Sequence, residues 1–159
     1  MERRSTRGGP HAQSHPVPAQ RGATMAEADV NPSTGAVRVL RLVCAQDMGE
    51  VVNPAGARIQ MEGGLIQGLG YTLSEEIRFE RGAVFDENFD SYHVPRFSWL
   101  PRIEAILVEN RDLGPQGGGE PAITTVGAVV ANAIHDAVGV RLYELPMTPG
   151  RIRSAVADA

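Results

Sequence analysis

The chain has 159 residues, 42% of them hydrophobic, which is enough for one domain with a real core. Its formal net charge is −4, but residues 1–23 carry four arginines and one glutamate, so the rest of the chain carries −7. This acidic remainder argues against nucleic-acid binding, and no apolar run approaches the length of a membrane span.

Several chemistries are excluded by residue types that the chain lacks. All basic residues are arginine, which removes Schiff-base chemistry and a P-loop lysine. The single cysteine, Cys44, forms no internal disulfide and holds no iron–sulfur cluster, which normally needs four thiolates. Because Cys44 lies in an apolar run, we expect a buried, inert thiol. No histidines stand at metal-ligand spacing, so no zinc site is predicted.

The N-terminal segment has the composition of a tail. Residues 1–23 are rich in Arg, Pro, Gly, Ser and Gln, and they predict a disordered Arg/Pro-rich tail. An alternative is an upstream extension of the true start, since Met25 offers a second start. The segment has no apolar core of a secretory signal, so we expect a cytoplasmic location. Residues 24–159 are expected to form the folded part.

Two strands are predicted first, at residues 25–31 and 36–46. The turn between them has strong turn chemistry, Asn-Pro-Ser-Thr-Gly. Apolar residues stand on both faces of the second strand, which indicates a largely buried strand. Strict alternation along this strand predicts two faces. One face carries Val37, Val39, Arg41 and Val43, and the other carries Arg38, Leu40, Leu42 and Cys44.

A helix is predicted over residues 55–73, after a turn at Asn53-Pro54. It carries an apolar row at i, i+4 spacing and four internal glycines, each of which costs about 1 kcal/mol against alanine. Packing must offset this loss, so we expect another element or a ligand to approach the helix backbone closely. The apolar row consists of Met61, Leu65, Leu69 and Leu73. The four internal glycines are Gly63, Gly64, Gly68 and Gly70.

Three shorter segments follow the helix. Residues 77–85 predict a hairpin around Arg81-Gly82. Residues 88–101 hold half of the aromatic side chains and two prolines, which indicates an ordered irregular loop. These aromatics either line a pocket or anchor the loop to the core, and the second interpretation is favoured. Residues 102–109 alternate as a strand.

The segment Gln116-Gly117-Gly118-Gly119-Glu120-Pro121 is the clearest candidate site. Three glycines let the backbone approach a ligand, and the proline suits the first turn of a helix. An apolar helical pattern then runs to a C-cap at Gly139. Glu120 is therefore predicted where a flexible loop meets a helix N-terminus. Phosphate binding is disfavoured, because Glu120 would place a negative charge beside the anion. The bland alternative is an acid that complements the helix dipole.

Five ordered segments resemble the C-terminal part of the molybdenum-binding subunit of the xanthine dehydrogenase/aldehyde oxidase family. The resemblance is strongest to the bacterial isoquinoline 1-oxidoreductase and nicotinate dehydrogenase branch. It covers residues 25–151 or so, in the family's order and spacing. The matching segments are VCAQDMGEVVNP (43–54), IQMEGGLIQGLGYTLSEE (59–76), NFDSYHVPRFSWLPRIE (88–104), GGGEP (117–121) and VVANAIHDAVGVRLYELPMTP (129–149).

This resemblance implies a fold and residue roles. The fold would be an α+β fragment of the molybdenum-binding domain of molybdenum hydroxylases, with strands and two main helices packed on them. Glu120 matches the family's catalytic glutamate, and Gln60 matches a glutamine that contacts the cofactor. The backbone of Gln116, Gly117 and Gly118 corresponds to the loop beside the metal and the pterin. No protein side chain is implied as a metal ligand.

The resemblance also implies the reaction and the partners. The expected reaction is hydroxylation by water of an aldehyde, or of a carbon next to nitrogen in a heteroaromatic ring. The molybdenum–pterin cofactor would be shared with the remainder of the large subunit, and iron–sulfur clusters would lie on a partner subunit. The expected partners are therefore the remainder of the large subunit, an iron–sulfur subunit and a small-molecule substrate. Nucleic-acid binding and a membrane span are not expected. The alternatives are a truncated non-catalytic remnant and a partner-binding module of the same descent.

Overall fold

In the computed structural model, which describes residues 3–5, 11–12 and 21–159, five strands form one mixed sheet. The strand order is β1-β3-β4-β7, and β2 also pairs with β3. All pairs in this sheet are antiparallel except β4 with β7, which is parallel. The strands of the sheet are β1 (Arg3–Ser5), β2 (His11–Ala12), β3 (Arg21–Val30), β4 (Val37–Asp47) and β7 (Arg102–Leu107).

The helices lie against one face of this sheet, and the mixture of helices and strands confirms the predicted α+β class. Two of them, α1 and α3, are long and pack against each other and against the strands, which confirms the predicted pair of main helices. No helix in the described part of the chain is both long and apolar enough to cross a membrane. The helices are α1 (Pro54–Leu73), α2 (Pro121–Thr124), α3 (Val126–Val138) and α4 (Pro149–Ala157).

The predicted N-terminal tail, residues 1–23, lies mostly outside the described residues. Its described pieces are strands: β1 and β2 pair with β3, and β3 itself begins at Arg21 rather than at residue 25. The reason is the antiparallel partner, since Arg21 pairs with Asp47 at the far end of β4. For the other residues of the segment, disorder stays a prediction.

The strict alternation predicted for the second strand is wrong in its first half. Ala28 pairs with Val39 and Glu27 pairs with Arg41, so Leu40 is an extra residue in β4. Such a bulge moves every earlier side chain to the opposite face. Val39 therefore shares the buried face with Leu42 rather than lying opposite it.

The sheet is covered on one face, not on both as the sequence indicated. The covered face contributes buried residues of β3 and β4 to the core, and the other face exposes Met25, Arg41 and Ile106. On this open face Arg41 donates from Nε to Glu104 Oε1 at 2.8 Å and from Nη2 to Oε2 at 2.8 Å. The buried face includes Ala26, Ala28, Val30, Leu42 and Cys44.

Cys44 is buried on the covered face, as predicted. Burial raises the pKa of the Cys44 thiol, and a hydrogen bond with Thr24 acts in the opposite direction. The Thr24 hydroxyl also accepts a hydrogen bond of 2.7 Å from the Thr125 hydroxyl. Thr125 lies between α2 and α3, so the single helix predicted after Pro121 is interrupted at this residue.

The rest of the predicted helix is confirmed as α3. Its buried residues follow the predicted apolar pattern, and Gly139 ends it in the left-handed conformation, φ 81°. The Gly139 N–H donates to the His135 carbonyl oxygen at 2.7 Å, which satisfies a carbonyl of the last turn. The buried residues are Val126, Val129, Val130, Ala133, Ile134 and Ala137.

Close approach to the glycines of α1 is confirmed at three positions and absent at the fourth. A Cβ on Gly64 would lie 3.6 Å from Ala122 Cβ, and one on Gly68 would lie 2.6 Å from Val126 Cγ2. The helices α1, α2 and α3 therefore pack through these glycines. Gly63 is exposed and a Cβ there would meet nothing within 4 Å, whereas one on Gly70 would meet Glu75 and Pro95.

We expect Gly68→Ala and Gly63→Ala to change stability in opposite directions. The new methyl group at Gly68 collides with Val126, and such overpacking costs typically about 1–3 kcal/mol. Gly63→Ala adds only helix propensity, worth roughly 0.5–1 kcal/mol. Urea unfolding of both variants measures the difference. An unchanged or raised midpoint for Gly68→Ala would show that α1 and α3 pack less closely than the structure has them.

The hairpin predicted at residues 77–85 is confirmed as β5 (Phe79–Glu80) and β6 (Ala83–Val84), joined by Arg81 and Gly82. The loop after it includes one turn of 3-10 helix, Phe97–Trp99. The favoured interpretation of its aromatic residues, anchoring to the core, is wrong for Phe89 and Phe97. Both side chains are exposed.

Candidate functional site

The glycine loop, residues 113–119, is held by a strap of residues 47–50 that follows β4. The Glu50 N–H donates to the Leu113 carbonyl oxygen at 2.8 Å, and the Gln116 N–H donates to the Met48 carbonyl oxygen at 2.9 Å. Gly49 has φ 70° and lies so close to Gly114 that a side chain would collide with the Gly114 carbonyl oxygen. The strap therefore fixes the backbone of the loop and admits only glycine at position 49.

Asp47 stabilises the strap at its first residue. Its carboxylate accepts a hydrogen bond from Asn110 Nδ2 at 2.9 Å and another from the Gly49 N–H at 3.0 Å. The hydrogen bond from Asn110, and then that from Gly49, lower the pKa of Asp47 below its usual value. The carboxylate is therefore ionised at neutral pH and ties the strap to the segment after β7.

Gln116 makes hydrogen bonds that hold the glycine loop in place. Its backbone N–H is taken by Met48, and its side-chain Nε2 donates to the Gly114 carbonyl oxygen at 3.0 Å. Gly118 lies over the Met48 side chain, because a Cβ there would be 3.0 Å from the Met48 sulfur. The loop thus packs on the strap along its length, and a larger residue at position 118 would push it away.

Gln60 reaches the same loop from α1. The helix begins at Pro54, where the Asn53 side chain accepts the Gly56 N–H at 3.0 Å as an N-cap. Gln60 lies on the second turn, and its Nε2 donates to the Gly119 carbonyl oxygen at 2.7 Å. The structure therefore brings together residues that are 59 positions apart in the chain, and it places Gln60 beside the peptide that precedes Glu120.

Glu120 lies at the exposed end of this arrangement, immediately before α2. Its side chain makes no capping hydrogen bond to the helix, and a Cβ on the neighbouring Gly119 would meet nothing within 4 Å. Glu120 is therefore exposed, next to a residue with open space beside it. Because α2 has only four residues, its dipole interacts weakly with the Glu120 carboxylate, and the helix-dipole alternative is weakened accordingly.

Two hydrogen bonds fix the short helix that carries Glu120. The Tyr71 hydroxyl of α1 donates to the Ile123 carbonyl oxygen at 2.5 Å, and the Thr125 hydroxyl donates to Thr24 in the sheet. Ala122, which precedes them, is buried against α1. The contacts of α2 with α1 and with the sheet thus set the position of Glu120 from its C-terminal side.

Sequence reasoning had missed the strap as part of the site. The sequence feature that could have indicated the strap is Asp47-Met48-Gly49 at the end of a strand, where the glycine allows the chain to turn. In the part of the chain that the structure describes, no three His, Cys, Asp or Glu side chains are grouped so as to hold a metal ion.

The fold is that of the molybdenum hydroxylases. The quinoline 2-oxidoreductase of Pseudomonas putida 86 superposes with a TM-score of 0.81 at 28% identity, over 87% of this chain and 19% of that one. Residues 2–101 match the model of the molybdopterin cofactor-binding domain. The chain belongs to this family and corresponds to part of a molybdenum-binding subunit.

Two curated relatives support this assignment. The chain is 38% identical over 134 residues to a subunit of the nicotinate dehydrogenase of Pseudomonas putida, covering 84% of this chain and 11% of that one. It is 36% identical over 127 residues to the beta subunit of the isoquinoline 1-oxidoreductase of Brevundimonas diminuta, covering 80% of this chain and 16% of that one. It therefore spans less than a fifth of the length of these relatives.

Proposed function

We propose that the chain is part of a molybdenum-cofactor-dependent hydroxylase or dehydrogenase. Its substrate is an aldehyde or an N-heteroaromatic compound, and water supplies the oxygen atom. The observation that supports this proposal is the Gln60–Gly119 hydrogen bond beside an exposed, uncapped Glu120. An accessible carboxylate on a backbone that is held in place is what a general base requires.

The residues present fit a cofactor that approaches along the glycine loop. Gly118 has no room for a side chain on its strap side, and Gly119 opens to solvent, so a ligand is able to contact the loop backbone. Gln60 keeps one amide N–H and its carbonyl oxygen for a ligand after donating to Gly119. In this proposal Gln60 and the backbone of Gln116, Gly117 and Gly118 hold the cofactor.

The proton chemistry falls to Glu120. Converting a C–H group and water to C–OH releases two electrons and two protons, and the bound cofactor supplies the redox chemistry that takes the electrons. An Oε atom of Glu120 accepts the proton that the attacking oxygen gives up as it bonds to carbon. Gln60 acts through Gly119 and keeps the peptide before Glu120 in place during this transfer.

Other chains or domains complete the enzyme in this proposal. The remainder of the large subunit supplies the rest of the cofactor site and the substrate pocket. An iron–sulfur subunit takes the electrons onward, because this chain has a single, buried cysteine. The alternative is a non-catalytic remnant or partner-binding module of the same descent, and apolar side chains exposed at residues 77–100 favour partner binding in either case.

Co-expression with a large-subunit partner tests the function. The chain is produced in a host that makes the molybdenum–pterin cofactor, together with the Brevundimonas diminuta subunit lacking its matching segment and with the other subunit of that enzyme. We expect a complex that oxidises an aldehyde or an N-heteroaromatic compound and, in ¹⁸O-labelled water, incorporates ¹⁸O into the product. A molybdenum-loaded complex that oxidises neither class would instead favour the non-catalytic alternative.

A further inference from the structure

The arm, residues 77–100, leaves the end of α1, returns to β7 and is shaped around one buried carboxylate, that of Asp86. The Arg78 N–H donates to Asp86 Oδ2 at 2.6 Å, and Arg78 Nη2 donates to Oδ1 at 2.6 Å. The Asp86 side chain is buried, and its hydrogen bonds with Arg78 lower its pKa to about 2. This ion pair closes the hairpin of the arm at neutral pH.

A second set of polar contacts ties the arm to α1. The Tyr92 hydroxyl donates to Glu75 Oε2 at 2.6 Å, and the Ser74 hydroxyl donates to the His93 carbonyl oxygen at 3.0 Å. Pro95 packs against Gly70 on the last turns of the helix. The arm therefore has a defined shape that is set by hydrogen bonds and an ion pair.

The large apolar side chains of the arm are exposed to solvent. Phe79, Phe89 and Phe97 are 72%, 80% and 92% exposed. Exposed aromatic residues on a pre-shaped surface are typical of protein interfaces, where a few of them contribute most of the binding energy. Six further large apolar residues of the arm are exposed: Ile77, Val84, Phe85, Val94, Trp99 and Leu100.

A groove of about 340 Å³ lies where the arm meets the body of the domain. The arm contributes Trp99 and Leu100 to it, α1 contributes Ile66 and Leu69, and β4 contributes Val39. These side chains are apolar, so the groove suits apolar side chains of another protein surface.

We propose that the arm and this groove are the docking surface for the remainder of the large subunit. This inference rests on the proposed function and names the part of the chain that completes its site. The chain spans 11% and 16% of the two relatives described above, so more than four-fifths of each relative is available to cover the surface. The occupant is thus a folded protein surface with protruding apolar side chains.

Binding to the Brevundimonas diminuta subunit without its matching segment tests this surface. The variant replaces three largely exposed side chains, Phe79→Ser, Phe89→Ser and Phe97→Ser, in the full chain. We expect it to unfold at the parent's temperature, because these side chains contact little. We expect its affinity for the partner in calorimetry to be at least about tenfold weaker.

The control variant changes three exposed apolar residues outside the arm, Met25→Ser, Ile106→Ser and Tyr143→Ser. We expect it to bind as the parent does. Equal binding by the arm variant, weakening by the control variant alone, or no binding by the parent would each overturn the proposal. Self-association of the parent that only the arm variant abolishes, with no binding of the partner, would identify a second copy as the occupant. Because binding is measured without turnover, an inactive but assembled complex contradicts the proposed function and leaves this surface intact.

Discussion

Glu120→Gln is expected to lower kcat of the assembled complex by at least about 10²–10⁴-fold, the usual contribution of general acid–base catalysis. The substitution keeps the size of the side chain and removes the group that accepts the proton. Glu120 makes no capping hydrogen bond, so its replacement leaves α2 and its contacts with Tyr71 and Thr24 in place. Molybdenum content is therefore expected to stay at the parent level.

Turnover at verified molybdenum occupancy is the measurement. Glu62→Gln, which neutralises an exposed carboxylate on α1, is the matched control and should retain the parent rate. An acid that only complements the helix dipole would cost less than about 1 kcal/mol of stability and leave turnover near normal. A Glu120→Gln complex that keeps most of the parent rate would reject the catalytic assignment.

Purified by itself, the chain is expected to contain no stoichiometric molybdenum, even from a host that makes the cofactor. Gln60 and the glycine loop form one open side of a site, and the open space beside Gly119 has no opposing wall within 4 Å. Small-molecule sites normally enclose most of the ligand surface. Mass-spectrometric metal analysis compares the molybdenum content of the isolated chain with that of the complex. A content close to one molybdenum atom per isolated chain would refute the prediction.

Local patterns were sufficient for the elements whose causes are local. Asn53-Pro54 and the apolar i, i+4 row predicted α1, and the glycine at position 139 predicted the end of α3. The hairpin followed from Arg81-Gly82. In each case the deciding residues lie within a few positions of the feature, so the sequence carries the physical cause directly.

The errors arose where the cause lies far away in the chain. The bulge at Leu40 depends on the register with β3, and the interruption at Thr125 depends on Thr24, 101 residues earlier. The outward aromatics of the arm violate the usual preference for burial, which no local pattern reveals. At the site, the resemblance supplied Gln60 and Glu120 one by one. Only the structure shows that Gln60 contacts the glycine loop and that the strap fixes this loop.

The parallel pairing of β4 with β7 also bears on how the chain folds. Arg41 and Glu104, which join these strands, are 63 residues apart, so a long loop must close before the sheet is complete. Folds dominated by such distant contacts fold slowly, because closure entropy is lost before the contacts reward it. During synthesis, at about 5–20 residues per second, α3 emerges roughly 3–12 s after α1. Through that interval α1 lacks the neighbour that packs against its glycines, so part of its apolar row stays exposed on the nascent chain until α3 arrives.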